Sequence, residues 1–150
     1  NLIASVQPHF VVSDFWVATR LGRDRARWIY PFKTLMQEGL TVASGSDCPV
    51  EPISPLLGIW AAVSRKSFTE ERITVEEAIR TYTLNAAYAS FDEDKRGTIE
   101  VEKLADLTIL SNDLFDVPLN EIKGILVEMT IVDGKIVYAG RTFSGRSSRI

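Results

Sequence analysis

Apolar residues recur at two different periods along this chain, and the change falls near Gly97. Before it, short apolar runs alternate with stretches of helical spacing. Leu2-Ile3-Ala4-Ser5-Val6 is a run of β-formers ending at Gln7-Pro8-His9, and Leu40-Thr41-Val42-Ala43, bounded by Gly39 and Gly45, is a second. Runs of this length between turn residues read as short buried strands. The stretch from Asp14 to Arg27 is helical in part, and Pro31 through Glu38 is a further helical segment, with Pro31 in its first turn and Gly39 stopping it. Ser54-Pro55 offers an N-cap followed by a proline at the first helical position, and Leu56, Ile59, Trp60 and Val63 fall on one face. The spacing predicts another helix over 74–90, where Thr74 and Glu77 form a capping box and Val75, Ala78, Ile79, Tyr82 and Ala86 recur at helical intervals.

After Gly97 the period falls towards two. Leu107-Thr108-Ile109-Leu110 and the run from Ile125 to Val132 read as strands, and Asp133-Gly134 as the two-residue turn of a hairpin into Lys135-Ile136-Val137-Tyr138. The arginine- and serine-rich segment 141–150 is expected to be a loose tail. The chain therefore divides into 1–96, a piece of a parallel α/β layer, and 97–140, a small β unit. Two parallel strands cannot be buried on both faces by themselves, so neighbours from the same polypeptide or from another chain are expected to complete the sheet.

With 150 residues, 45% hydrophobic and 25% charged, the chain has material for one core, or for a core with a small appendage. A net charge of -3 excludes any general attraction to nucleic acid or to an anionic membrane, which rests on a basic surplus. The four arginines between Arg20 and Arg27 are a local exception and read as a solvated or ion-paired face. The lone Cys48 excludes an internal disulfide and has no partner for a zinc ribbon, which fits a cytoplasmic protein. No apolar stretch reaches the roughly 18–20 residues that cross a bilayer. Neither strand is followed by a P-loop or a dinucleotide-type glycine turn.

Gly45-Ser46-Asp47-Cys48-Pro49-Val50 places a carboxylate where the second strand opens into a loop. Open α/β sheets and barrels bind ligands beyond the C-terminal ends of their strands, so Asp47 is the first candidate for a catalytic group. The alternative is that Asp47 only caps the turn before Pro49 through its own backbone.

Several segments, taken together, carry a resemblance. Ala4-Ser5-Val6-Gln7-Pro8-His9 looks like the seventh-strand segment, and Gly45-Ser46-Asp47-Cys48-Pro49-Val50 like the eighth-strand segment, of the amidohydrolase superfamily in its amidohydrolase-3 branch of metal-dependent (β/α)8-barrel hydrolases. Ser54-Pro55-Leu56-Leu57-Gly58-Ile59 resembles the helix that follows. Thr83-Leu84-Asn85-Ala86-Ala87, Arg96-Gly97-Thr98-Ile99-Glu100 and Lys103-Leu104-Ala105-Asp106-Leu107 resemble the stretch by which these enzymes leave the barrel. The run from Ile131 to Tyr138 looks like the closing hairpin of their small β-sandwich, and the likeness spans about residues 2–140.

The resemblance implies an α/β fold: the C-terminal part of a TIM barrel, its last two strands with their helices, followed by part of a β-sandwich. It implies hydrolysis of non-peptide C–N bonds in small molecules, such as amides and cyclic imides, by water activated on one or two divalent metals, with zinc the first candidate. Asp47 takes the matched role of metal ligand and general base, and His9 and Gln7 stand as substrate contacts. The family's early His-x-His pair, its modified lysine and two middle-strand histidines are not matched, since His9 is the single histidine here. The expectation is therefore the C-terminal segment of a longer enzyme, inactive alone. Glu102 stands where the family often has a glycine. The alternative, from a different class, is a non-catalytic binding module of the same fold that assembles as a homo-oligomer.

Overall fold

A computed structural model describes residues 2–140; the expected tail at 141–150 lies outside the described residues. Strands β1 (Ile3–Val6) and β2 (Thr41–Ser44) pair in parallel, in register from Ile3 with Thr41 to Val6 with Ser44. The ladder continues one step further, the Gly45 N–H donating to the Val6 carbonyl at 2.9 Å. Parallel neighbours need a crossover, supplied here by four short helices, α1 (Phe10–Ser13), α2 (Val17–Leu21), α3 (Arg23–Ala26) and α4 (Phe32–Gln37). The helix expected within 14–27 is broken at Gly22, whose φ of 74° no helix accommodates. Helix α1 went unpredicted because Phe10-Val11-Val12 reads as β-forming and His9, at its N-cap position, makes no side-chain cap.

Helix α5 (Pro55–Ser64) follows β2. Ser54 holds the N-cap position in extended backbone, but its hydroxyl makes no capping bond. The apolar face is wider than predicted, since Gly58, Ala61 and Ala62 are buried along with Leu56, Ile59 and Val63. Gly58 is where α5 meets the next helix: a Cβ there would lie 1.8 Å from the Tyr82 hydroxyl. Burial pushes that phenol up to about 12.

Helix α6 (Val75–Tyr82) begins on the predicted capping box, with Glu77 N–H donating to Thr74 Oγ1 at 3.1 Å and Thr74 N–H donating to Glu77 Oε2 at 2.7 Å. The helix does not run on to 90. Thr83, at φ -119° and ψ -95°, ends it, and α7 (Leu84–Ala89) starts in a new direction. The new direction lets Asn85 Nδ2 donate to the Val42 carbonyl at 2.9 Å, tying α7 to β2.

Glu77 also accepts from Lys33 Nζ of α4 at 2.6 Å. Burial alone would raise its carboxyl, but the Lys33 and Thr74 hydrogen bonds outweigh it and hold Glu77 below its ordinary value of 4.5. A carboxyl lowered on folding stabilises the protein above its unfolded value and loses that contribution as pH falls through the folded one. Unfolding free energies of wild type and Glu77→Gln should therefore differ at neutral pH by up to about 1 kcal/mol, because glutamine can keep the capping bond but loses the charged pair with Lys33, and should converge on acidification below 4.5. Equal values at neutral pH would remove the Glu77 charge from the stability of this junction.

Past α7, strands β3 (Leu107–Leu110), β4 (Val127–Val132) and β5 (Lys135–Ala139) form an antiparallel sheet in sequence order. Strand β4 starts later than the run from Ile125 predicts because Ile122–Gly124 makes a 3-10 turn. Asp133 and Gly134 have φ of 50° and 72°, the left-handed pair of the predicted hairpin turn. Asp106 Oδ1 accepts from the Asp133 N–H at 2.9 Å, so the segment before β3 holds that turn in place.

Both halves of the chain contribute to one core. Phe32 of α4, Ile59 and Val63 of α5 and Ala78 of α6 pack with Leu114, Ile122 and Ile125. Arg65 is 3% exposed, and its guanidinium donates to the carbonyls of Tyr30 at 2.7 Å and Ser67 at 2.8 Å, so its buried charge is hydrogen-bonded.

Glu102 has φ 74°, the left-handed region where glycine is at ease. Relief of roughly 1–2 kcal/mol of backbone strain opposes the roughly 0.5–1 kcal/mol entropic cost of glycine. Glu102→Gly is thus expected to leave stability unchanged or raise it slightly, read as the shift in urea midpoint. A clear loss would show that the Glu102 side chain has a structural role.

Candidate active site

Because β1 and β2 are parallel, both chains leave the sheet at the same end. Gln7-Pro8-His9 follows β1, and Gly45-Ser46-Asp47 follows β2. Asp47 is exposed, with φ 58°, a conformation Asp tolerates better than most residues. The bonds that close its loop come from other atoms. Val50 N–H donates to the Asp47 backbone carbonyl at 2.8 Å, and Cys48 N–H donates to Ser46 Oγ at 3.2 Å. Among the described residues the Asp47 carboxylate takes no hydrogen bond and no ion pair, so the side chain that caps this turn is Ser46.

His9 follows β1 at this shared end of the strands, the mouth of the site. Its Nδ1 is hydrogen-bonded to Glu51 Oε2, and its ring packs against Trp60 of α5 with centroids 6.5 Å apart and planes inclined by 45°. Glu51 belongs to the same loop as Asp47 but is only 8% exposed. The Ser13 hydroxyl first, and then His9, hold its carboxyl below the usual carboxylate range against the opposing effect of burial. Gln7 is half-buried, and its backbone carbonyl accepts from Phe10 N–H at 3.2 Å to start α1.

Tyr30 donates its hydroxyl to Asp14. Burial pushes its phenol up, and Asp14 and then the charge of Glu51 push it further. Sequence reasoning missed Glu51, Ser13, Asp14 and Tyr30. None sits in a periodic apolar pattern, and the only available signal for Glu51 was its place in the loop after β2.

Among the described residues no group of three or more His, Cys, Asp or Glu could hold a metal ion. Asp47 is a lone donor, and His9 spends Nδ1 on Glu51. Zinc sites take three or four protein ligands, so these residues do not by themselves fit a resident divalent metal. No described helix is long and apolar enough to cross a membrane.

The layer is mixed α/β with an unengaged acid at the common end of its parallel strands, and comparison with known proteins gives the family. The chain belongs to the amidohydrolase family, whose profile matches residues 1–138. It is 42% identical over 143 residues to YtcJ of Bacillus subtilis, which bears an amidohydrolase name, covering 89% of this chain and 27% of that protein. It is 34% identical over 116 residues to the N-substituted formamide deformylase of Arthrobacter pascens, covering 73% of this chain and 21% of the relative. Among solved structures, an uncharacterized metal-dependent hydrolase from Pyrococcus horikoshii superposes with a TM-score of 0.68 at 33% identity, over 77% of this chain and 25% of that one. The chain thus spans about a quarter of the length of the relatives it matches.

Proposed function

We propose that this chain supplies the last two strands of a (β/α)8 barrel with their helices, over 1–96, and part of its β-sandwich, over 97–140, in a hydrolase of non-peptide C–N bonds. The observation that carries this is the free Asp47 carboxylate at the end of β2, beside the β1 end that carries Gln7 and His9. Such a carboxylate can take a proton from an attacking water and pass it to a leaving nitrogen, while His9 and Gln7 contact a small-molecule substrate. Amides and cyclic imides are the substrate class, with N-substituted formamides suggested by the relative named for that activity. In this reading Asp47 is also one ligand of a divalent metal, zinc first, whose other ligands lie outside the described residues. A bound metal would supply polarisation and a water of lowered pKa. Exposed apolar side chains such as Leu2 at 73% and Ile53 at 75% fit a layer covered by further polypeptide or by another copy.

The test uses the whole protein: metal content, and hydrolysis of an N-alkylformamide and a cyclic imide before and after chelation. A metal's several kcal/mol corresponds to at least about two decades in rate, so chelation should cut turnover about 100-fold or more, and zinc should restore it. Full activity without metal would overturn the metal-dependent reading. An inactive, metal-free, stable oligomer would establish the binding module instead.

A further inference from the structure

The loop after β2 carries two carboxylates four positions apart, and they are of different kinds. Asp47 is exposed and unengaged, whereas Glu51 is 8% exposed and bonded to His9. A buried carboxylate is costly unless a hydrogen bond compensates it, and the bond Glu51 makes is to His9, in the segment after β1. The two mouth segments are thereby joined through one side-chain pair.

We infer that Glu51 is a positioning residue for His9: it accepts a hydrogen bond from Nδ1–H, fixes the tautomer and tilt of the ring, and leaves Nε2 as the nitrogen presented to the N–H of an amide-type ligand. A neutral imidazole has one N–H and one acceptor nitrogen, so committing Nδ1 as donor makes Nε2 the acceptor. No hydrogen bond to Nε2 forms among the described residues. Trp60 packs against the ring, and His9 keeps 18% of its side chain exposed. Lys123 Nζ lies over the Trp60 ring, 4.7 Å from its centroid. The ring is therefore held by a carboxylate and an aromatic while retaining access to solvent. The role in ligand binding rests on the hydrolase reading of the Asp47 mouth; the pairing itself does not.

Because His9 is the single histidine of the chain, its ring nitrogens can be read directly. Long-range proton–nitrogen spectra of the labelled chain, recorded above the ordinary imidazole range of about 6.5, should show the Nδ1–H tautomer in wild type. The usual Nε2–H form should appear in Glu51→Ala. A wild-type ring in the Nε2–H form overturns the inference, as does a Glu51→Ala ring that keeps Nδ1–H; the wild-type spectrum decides even where the variant does not fold. In the whole protein, with an N-alkylformamide as probe, Glu51→Ala and His9→Ala should each lower kcat/KM by about 10–100-fold, the usual cost of losing an orienting partner. The double variant should be no worse than either single one. Independent, additive losses alongside an inactive Asp47→Asn would overturn the pairing and leave the hydrolase reading standing. An active Asp47→Asn together with the expected tautomers would do the reverse.

Discussion

Asp47→Asn in the whole protein is expected to lower kcat/KM for C–N hydrolysis by about 10²–10⁴-fold, the span attributed to a positioned general base. Stability should barely move. The carboxylate makes no bond to the rest of the described structure, and Asn is as tolerant as Asp of the φ of 58° found there. Surface replacements of this sort stay within about 0.5 kcal/mol. The combination separates the two readings of this residue, because a turn cap would affect the urea midpoint and leave turnover alone. Activity within about threefold of wild type, well short of the general-base range, would sink the catalytic assignment.

The second large effect is expected at Gly97. Its φ of 97° lies where L-residues are strained, and a Cβ would sit 2.9 Å from both the Ala87 Cβ and the Leu84 Cα. One of those neighbours is backbone, so neither α7 nor the 97 turn can yield cheaply. Gly97→Ala should incur strain of about 1–3 kcal/mol and overpacking of about 1–3 kcal/mol. The sum is a large part of the stability of a small domain, and the variant should show a strongly reduced denaturation midpoint or accumulate as insoluble protein. A wild-type midpoint would mean that α7 and the following turn are not packed as described. Gly58→Ala should act in the same direction, because a Cβ 1.8 Å from the Tyr82 hydroxyl forces that ring out of its place between α5 and α6.

The elements were legible where local chemistry decides them. Thr74 with Glu77 announces the start of α6, Asp133-Gly134 the hairpin, and the two apolar runs the parallel pair. What was illegible depends on contacts distant in sequence. Nothing near Thr83 warns that the helix breaks there; the break serves Asn85, which reaches a carbonyl on β2, and Gly97, which packs on Leu84. At the mouth, Asp47 was visible because it ends a strand, and His9 because it follows one. Glu51 was not, since a carboxylate in a polar loop looks like solvated charge until the fold shows that it is buried against His9.

The packing of Leu114, Ile122 and Ile125 against α5 bears on how this polypeptide can be cut. The change of period near Gly97 invites a severing point, yet the residues that seal the helix behind the mouth lie beyond it. Deleting everything after 97 would open the underside of α5 to water and loosen the loop that holds Asp47 and Glu51. Recombination at that junction would exchange a structural lid together with its sheet, so the antiparallel half behaves as a keystone of the acidic mouth rather than as a detachable module.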